Sequence, residues 1–107
     1  MDYDQFLTSL EAAEPPTTDP WLVALWHARR GDWDLAHRIV QELPDRKAAR
    51  IHAYLHRVEG DDWNSRYGHD RAGTRFPHDL TLEEEWAQLA RLALASEGRG
   101  ILPENPA

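Results

Sequence analysis

The chain has no cysteine. That excludes disulfides, thiolate nucleophiles and thiolate metal sites together. It has no apolar run long enough to cross a bilayer, so no membrane partner is expected. Its opening, MDYDQFLTSLEAAE, lacks the basic start and apolar core of a secretory leader, and a cytoplasmic location is the expectation. It has no glycine-rich phosphate loop. Positive charge is scarce: 12 Lys and Arg stand against 19 Asp and Glu, a net charge of −7 with histidine neutral. Affinity for a phosphate backbone comes from Lys and Arg releasing counterions, so nucleic acid is disfavoured as a partner. The basic pairs Arg29-Arg30 and Arg46-Lys47 have acidic neighbours and read as solvated helix surface. Phenylalanine occurs only twice, whereas tryptophan occurs five times. Each Trp buries a large area and brings one N–H that needs an acceptor.

What is present is helical periodicity with strong punctuation. No stretch alternates as a strand would. The spacing predicts an all-α fold of about six short helices in antiparallel hairpins. The first runs from Tyr3 to Ala13 and is ended by Pro15-Pro16. Asp19 caps the second, with Pro20 at its first position; it carries Trp21, Leu22, Leu25 and Trp26 and stops at Gly31. Asp32 caps the third, Trp33 to Leu43. Pro44 closes that one and Asp45 caps the fourth, which reaches Glu59. After Gly60, Asp61 or Asp62 caps a fifth helix ending near Gly73, where Asn64, Ser65 and Gly68 are poor helix formers. Thr81 and Glu84 form a capping box for the last helix, which runs to about Glu97 with Leu82, Trp86, Leu89, Leu92 and Ala93 on its core face. The expected organisation is one domain over 1–107: an N-terminal helix and proline linker at 1–18, hairpins and a capping helix at 19–97, and a flexible tail at 98–107.

LWHARRGDWD and YLHRVEGDDW echo one another. In each, a His lies four residues before a Gly-Asp pair and a Trp follows; Gly31 and Gly60 are 29 residues apart. Such a duplicated helix–turn–helix unit is the building block of helical repeats. The stretch GDWDLAH at 31–37 resembles the turn and second-helix start of a tetratricopeptide repeat, with Ala36 as the small residue for close packing. The period is shorter than that family's, and Ser65 stands where the second Ala belongs. Three further stretches resemble a group of small, uncharacterised, all-helical bacterial and fungal proteins. They are Ala36-His37-Arg38-Ile39-Val40-Gln41, the run HAYLHRVEGD from His52 to Asp61, and Asn64 to Gly73. The chain departs from that group at Gly68 and His69, where the group is aromatic. The resemblance implies an all-helical fold and brings no activity or cofactor with it.

The histidines supply the candidate site. On the fourth helix Ile51, Tyr54, Leu55 and Val58 form an apolar stripe, and His52, His56 and Glu59 form a second stripe beside it. On the third helix Trp33, His37 and Val40 share a face. A turn at Pro44-Asp45 makes the two helices antiparallel neighbours. His37 and His52 are equally far from that turn, as are Trp33 and His56, so all four meet at matching heights.

Three readings follow. One is structural: border imidazoles that pack on Trp and bond to nearby acceptors. A second is a groove for a protein, peptide or small polar ligand, with Trp33 and Tyr67 as walls and His37, His52, His56, Asn64 and Arg66 as polar contacts. The third is a metal site, since His at i and i+4 both reach one Zn²⁺ and His37 or Glu59 adds a third ligand. A zinc-protease helix would carry Glu directly after the first His, where Ala53 stands.

The preferred function is a small non-enzymatic binding or adaptor module; the alternative is a metal-binding protein or hydrolase-like enzyme centred on His37, His52 and His56. No catalytic nucleophile and no cofactor is named by the sequence. Oligomerisation is open, because short repeat arrays expose an apolar end unless a helix covers it. Glu83-Glu84-Glu85 reads as first-turn charge suited to the helix dipole, and His69 and His78 read as loop or surface residues.

Overall fold

The computed structural model describes residues 1–97; the expected tail at 98–107 and the stop at Gly98 lie outside the described residues. Six helices follow in order: α1 Tyr3–Ser9, α2 Pro20–Arg29, α3 Trp33–Gln41, α4 Arg46–Val58, α5 Asp62–Ala72 and α6 Leu82–Glu97. There is no strand among the described residues. Successive helices α2 to α5 pack as hairpins, α6 lies across α2 and α4, and α1 rides on α6.

Local chemistry sets the helix starts. The carboxylates of Asp2, Asp19, Asp32, Asp45 and Asp61 each accept a backbone N–H from the first turn that follows, satisfying donors that have no partner within the helix. Thr81 and Glu84 bond reciprocally at 2.9 and 3.0 Å, the capping box expected before α6. Gly31 and Gly60 take φ of 86° and 85°, the left-handed conformation that side chains resist. Asp32 N–H then donates to the His27 carbonyl at 2.9 Å, and Asp61 N–H to the His56 carbonyl at 2.8 Å. The two echoing sequences thus share a left-handed Gly and an equivalent backbone hydrogen bond at their turns.

The first helix is shorter than its sequence suggested. It ends at Ser9 rather than Ala13, and a turn follows. Arg30 explains where the carbonyls go: its guanidinium donates to Leu10 and, at 3.0 Å, to Ala12, while lying 4.2 Å from the Trp26 ring centroid. Arg30 therefore closes α1 from a neighbouring element.

The tryptophans act as cross-links as well as filler. Trp26 donates its indole N–H to the Ser9 carbonyl at 3.2 Å, Trp33 to Leu55 at 2.7 Å and Trp86 to Leu25 at 2.9 Å. Trp86 also stacks on Phe6, with centroids 5.9 Å apart and planes within 11°. Burying such a ring stabilises through its area, and the satisfied N–H removes the desolvation cost.

Three expectations about burial are corrected. The inner face of α6 is Glu85, Trp86, Leu89, Ala90 and Ala93; Leu82 and Leu92 are exposed. Glu85 is fully buried instead of serving as solvated first-turn charge. It accepts from Arg57 at 2.9 Å, and Arg57 also donates to the Leu80 carbonyl. His69, expected at the surface, is buried on α5, its Nε2 3.6 Å from Glu85 and its Nδ1 2.8 Å from the Thr74 hydroxyl. A carboxylate is tolerated there because a guanidinium, itself mostly buried, faces it. His78 is exposed, as expected.

The fifth helix forms despite its poor helix formers because they are small. Ser65 donates to the Ala53 carbonyl at 2.7 Å. A methyl group on Gly68 would stand 2.8 Å from the Ala53 methyl and 3.2 Å from its Cα. The α4 and α5 backbones therefore approach as closely as side-chain-free surfaces allow. Gly68→Ala should lower stability by about 1–3 kcal/mol, because overpacking outweighs the helix propensity that Ala adds. Urea denaturation measures this, and a variant at least as stable as the parent would refute the close approach.

Candidate metal centre

Two short helical faces build the site. On α3, Trp33 and His37 are one turn apart beside the buried Ala36 and Val40. On α4, His52 and His56 are one turn apart beside the buried Ile51 and Leu55. The hairpin brings the two faces together at the heights expected from the turn. His37 Nε2 lies 2.7 Å from His52 Nε2, and His52 Nε2 lies 3.2 Å from His56 Nε2. Trp33 floors the cluster: His37 stacks on it at 4.7 Å with planes 13° apart, and His56 meets its edge at 6.1 Å. All three imidazoles are half-buried.

A proton count sharpens the picture. Glu59 Oε2 is 2.8 Å from His56 Nδ1. An ionised carboxylate only accepts, so His56 Nδ1 carries the proton and, in the neutral ring, Nε2 presents a lone pair. His52 Nε2 faces that lone pair on one side and His37 Nε2 on the other. If it carries a proton, that proton serves two acceptors; if it does not, two lone pairs face each other. One well-formed hydrogen bond is available for two close contacts. Protonating the rings does not help, since like charges then converge. Burial, reinforced by His37, His56 and Arg71, pushes His52 down from 6.5 to about 4. Burial and His56 also lower His37, against opposing pulls from Glu59 and Asp34. Both shifts favour the neutral forms of His37 and His52, and one ring nitrogen from each of the three imidazoles lies within 4.8 Å of the others.

The carboxylates beside it form a second, outer group. Single ligand atoms of His56, Glu59 and Asp61 lie within 4.8 Å of one another. Asp61 caps α5 and accepts both the Asn64 backbone N–H at 3.1 Å and its side-chain amide at 2.6 Å. Those bonds hold its carboxyl below the ordinary value.

Of the seven residues singled out in the sequence, Trp33, His37, His52 and His56 come together. Asn64 reaches their margin through Asp61. Arg66 and Tyr67 have other neighbours: the Arg66 guanidinium lies 4.1 Å from the Phe76 ring centroid, and Tyr67 stacks on Trp63 at 6.1 Å. Both aromatics of that stack are open to solvent, Trp63 at 75% and Tyr67 at 55%. The role of Glu59 follows from its position one turn after His56 on the same stripe.

The depressed histidines fix the direction of a pH effect. In the unfolded chain His52 binds its proton near 6.5, in the folded chain only near about 4. Between those values the unfolded state holds more protons, so stability rises with pH. The contribution is fully present above about 6.5 and is lost as pH falls toward 4; His37 adds in the same sense. Denaturation midpoints should therefore fall over this window, and His52→Gln should flatten the fall. An unchanged slope in that variant would remove His52 as its source.

Comparisons with protein-family models, curated proteins and solved structures give no match.

Proposed function

We propose that this chain is a metal-binding helical protein that holds one divalent ion of the Zn²⁺ class through the Nε2 atoms of His37, His52 and His56. The observation that carries the reading is the convergence of three Nε2 atoms whose contacts at 2.7 and 3.2 Å cannot all be hydrogen bonds. A cation resolves the conflict, because it accepts three lone pairs at once. Imidazole nitrogens about 2.0–2.1 Å from a tetrahedral zinc stand about 3.4 Å apart, so the rings would spread only by tenths of an ångström. Glu59 plays the outer part: a carboxylate on the far ring nitrogen fixes the tautomer and raises ligand basicity. An all-imidazole set also suits Cu²⁺ and Ni²⁺. Three protein ligands leave a fourth position for water or an exchangeable ligand. With Ala53 after His52, the general base of a zinc-protease helix is missing, and the reading is one of binding rather than peptide hydrolysis.

The scaffold for this site reads as a repeat-like pair, α2–α3 and α4–α5. The 29-residue offset and the matching Gly-Asp turns support that view. The binding-module reading of the sequence keeps one support of its own, the exposed Trp63–Tyr67 stack, since open aromatics of this size commonly meet a partner.

Purified protein should carry about one Zn²⁺ per chain after exhaustive dialysis, a stoichiometry set by the single three-imidazole centre. His52→Ala should abolish retention, and Glu59→Gln should weaken it about 10–100-fold. Cobalt substitution should give the strong visible absorption of a tetrahedral site. Metal content at trace level, or retention unaffected by His52→Ala, would refute the proposal.

A further inference from the structure

On the side of α4 away from the imidazoles, a pocket of about 210 Å³ opens between α2, α4, α6 and the C-terminal end of α5. Its walls include Trp21, Leu89 and Leu92, and its rim carries Arg46, Lys47 and Arg50. Leu92 is 42% exposed although its neighbours Leu89 and Ala93 are buried. A leucine left open over an apolar hollow is surface that a ligand would cover.

The cations point to the ligand's other end. Arg46, Lys47 and Arg50 occupy the first turns of α4, which has no acidic residue in its first turn. The helix dipole disfavours cations there, so the helix itself gains nothing from them. No carboxylate among the described residues forms an ion pair with any of the three, and none lines the pocket. Arg50 donates from Nη2 to the Gln88 side-chain Oε1 at 2.9 Å, but its Nε is shielded from solvent without a partner. Lys47 lies 4.7 Å from the Trp21 ring centroid and contacts the Ser96 hydroxyl. In a chain of net charge −7, this is a local positive rim around an apolar hollow.

We propose that the pocket binds a medium-chain monocarboxylate, the chain on Trp21, Leu89 and Leu92 and the carboxylate on Arg46 and Arg50. Apolar cavities of about 150 Å³ take up a six-carbon ring, so this volume suits a chain of about eight carbons. Guanidinium matches carboxylate with two parallel N–H donors, and the guanidinium-bearing side chains of Arg46 and Arg50 both line the hollow.

The test uses the full chain with octanoate, 1-octanol and acetate, followed by calorimetry and by amide shifts in NMR spectra. Octanoate should bind saturably at about 0.1–1 mM, the range set by its few heavy atoms. Octanol and acetate should each bind at least about tenfold more weakly, since each lacks one half of the recognition. Arg50→Gln should cost about tenfold for octanoate and little for octanol, while Leu92→Glu should abolish octanoate binding. His52→Ala should leave it intact, separating this pocket from the imidazole centre. Absence of saturation, equal binding of octanol and octanoate, or indifference to Arg50→Gln would each overturn the proposal. Non-saturation would include the case in which the chain's own C-terminal residues fill the hollow.

Discussion

The bond from the Trp33 indole N–H to the Leu55 carbonyl, 2.7 Å long, governs the arrangement of α3 against α4. At nine residues, α3 is too short to persist alone in water, and its position depends on what holds it. Here a donor on its first residue is fastened to the last turn of α4. The opposite end of the pair is fixed by the turn at Pro44-Asp45. With both ends set, the heights of His37, His52 and His56 have no freedom left. The indole then offers its face to His37 and its edge to His56, so one side chain both sets the register of the hairpin and shapes the floor of the site.

The chain places buried polarity in two positions on opposite faces of α4's surroundings, and the two are unlike. Arg57 on α4 and Glu85 at the start of α6 bring opposite charges into contact, and His69 on α5 hydrogen-bonds the Thr74 hydroxyl beside them. The Arg57–Glu85 pair orients the helices, while His69 Nε2 and Glu85 Oε2, 3.6 Å apart, are each buried without a hydrogen-bond partner. The three imidazoles have like groups in contact and a deficit of protons. A domain with only about 5–15 kcal/mol of net stability gains nothing structural from the second arrangement, and the contrast is the reason for reading chemistry into one and architecture into the other.

Much of this was legible before any coordinates. Asp19, Asp32, Asp45, Asp61 and the Thr81–Glu84 pair mark helix starts because capping is decided within four residues. The meeting of His37 with His52 followed from equal distances to one turn, which is symmetry rather than detailed packing. What escaped depended on distant partners. The end of α1 is set by Arg30, about twenty residues away in sequence. Glu85 was hidden among three consecutive glutamates, though its spacing of four to Leu89 and eight to Ala93 on α6 placed it on the apolar face. His69 gave no periodic signal at all. The neighbours of Arg66 and Tyr67 carried no signal in the sequence, because the rotation of α5 about its axis depends on Ser65 and Gly68 lying against Ala53, a consequence of small size that composition reads only as weak helix propensity.

The contact of Gly68 with Ala53 has a bearing on how such a sequence is free to vary. Solvent-facing positions on α4 and α5 accept many residues at little energetic penalty. Positions 53, 65 and 68 admit hardly any added atom. An aromatic side chain at 68 would prop the two helices apart, turn α5, and carry Asp61 and Asn64 away from the histidines. This close seam, with almost no chemistry of its own, thereby limits which neighbouring sequences retain the same arrangement around the imidazoles.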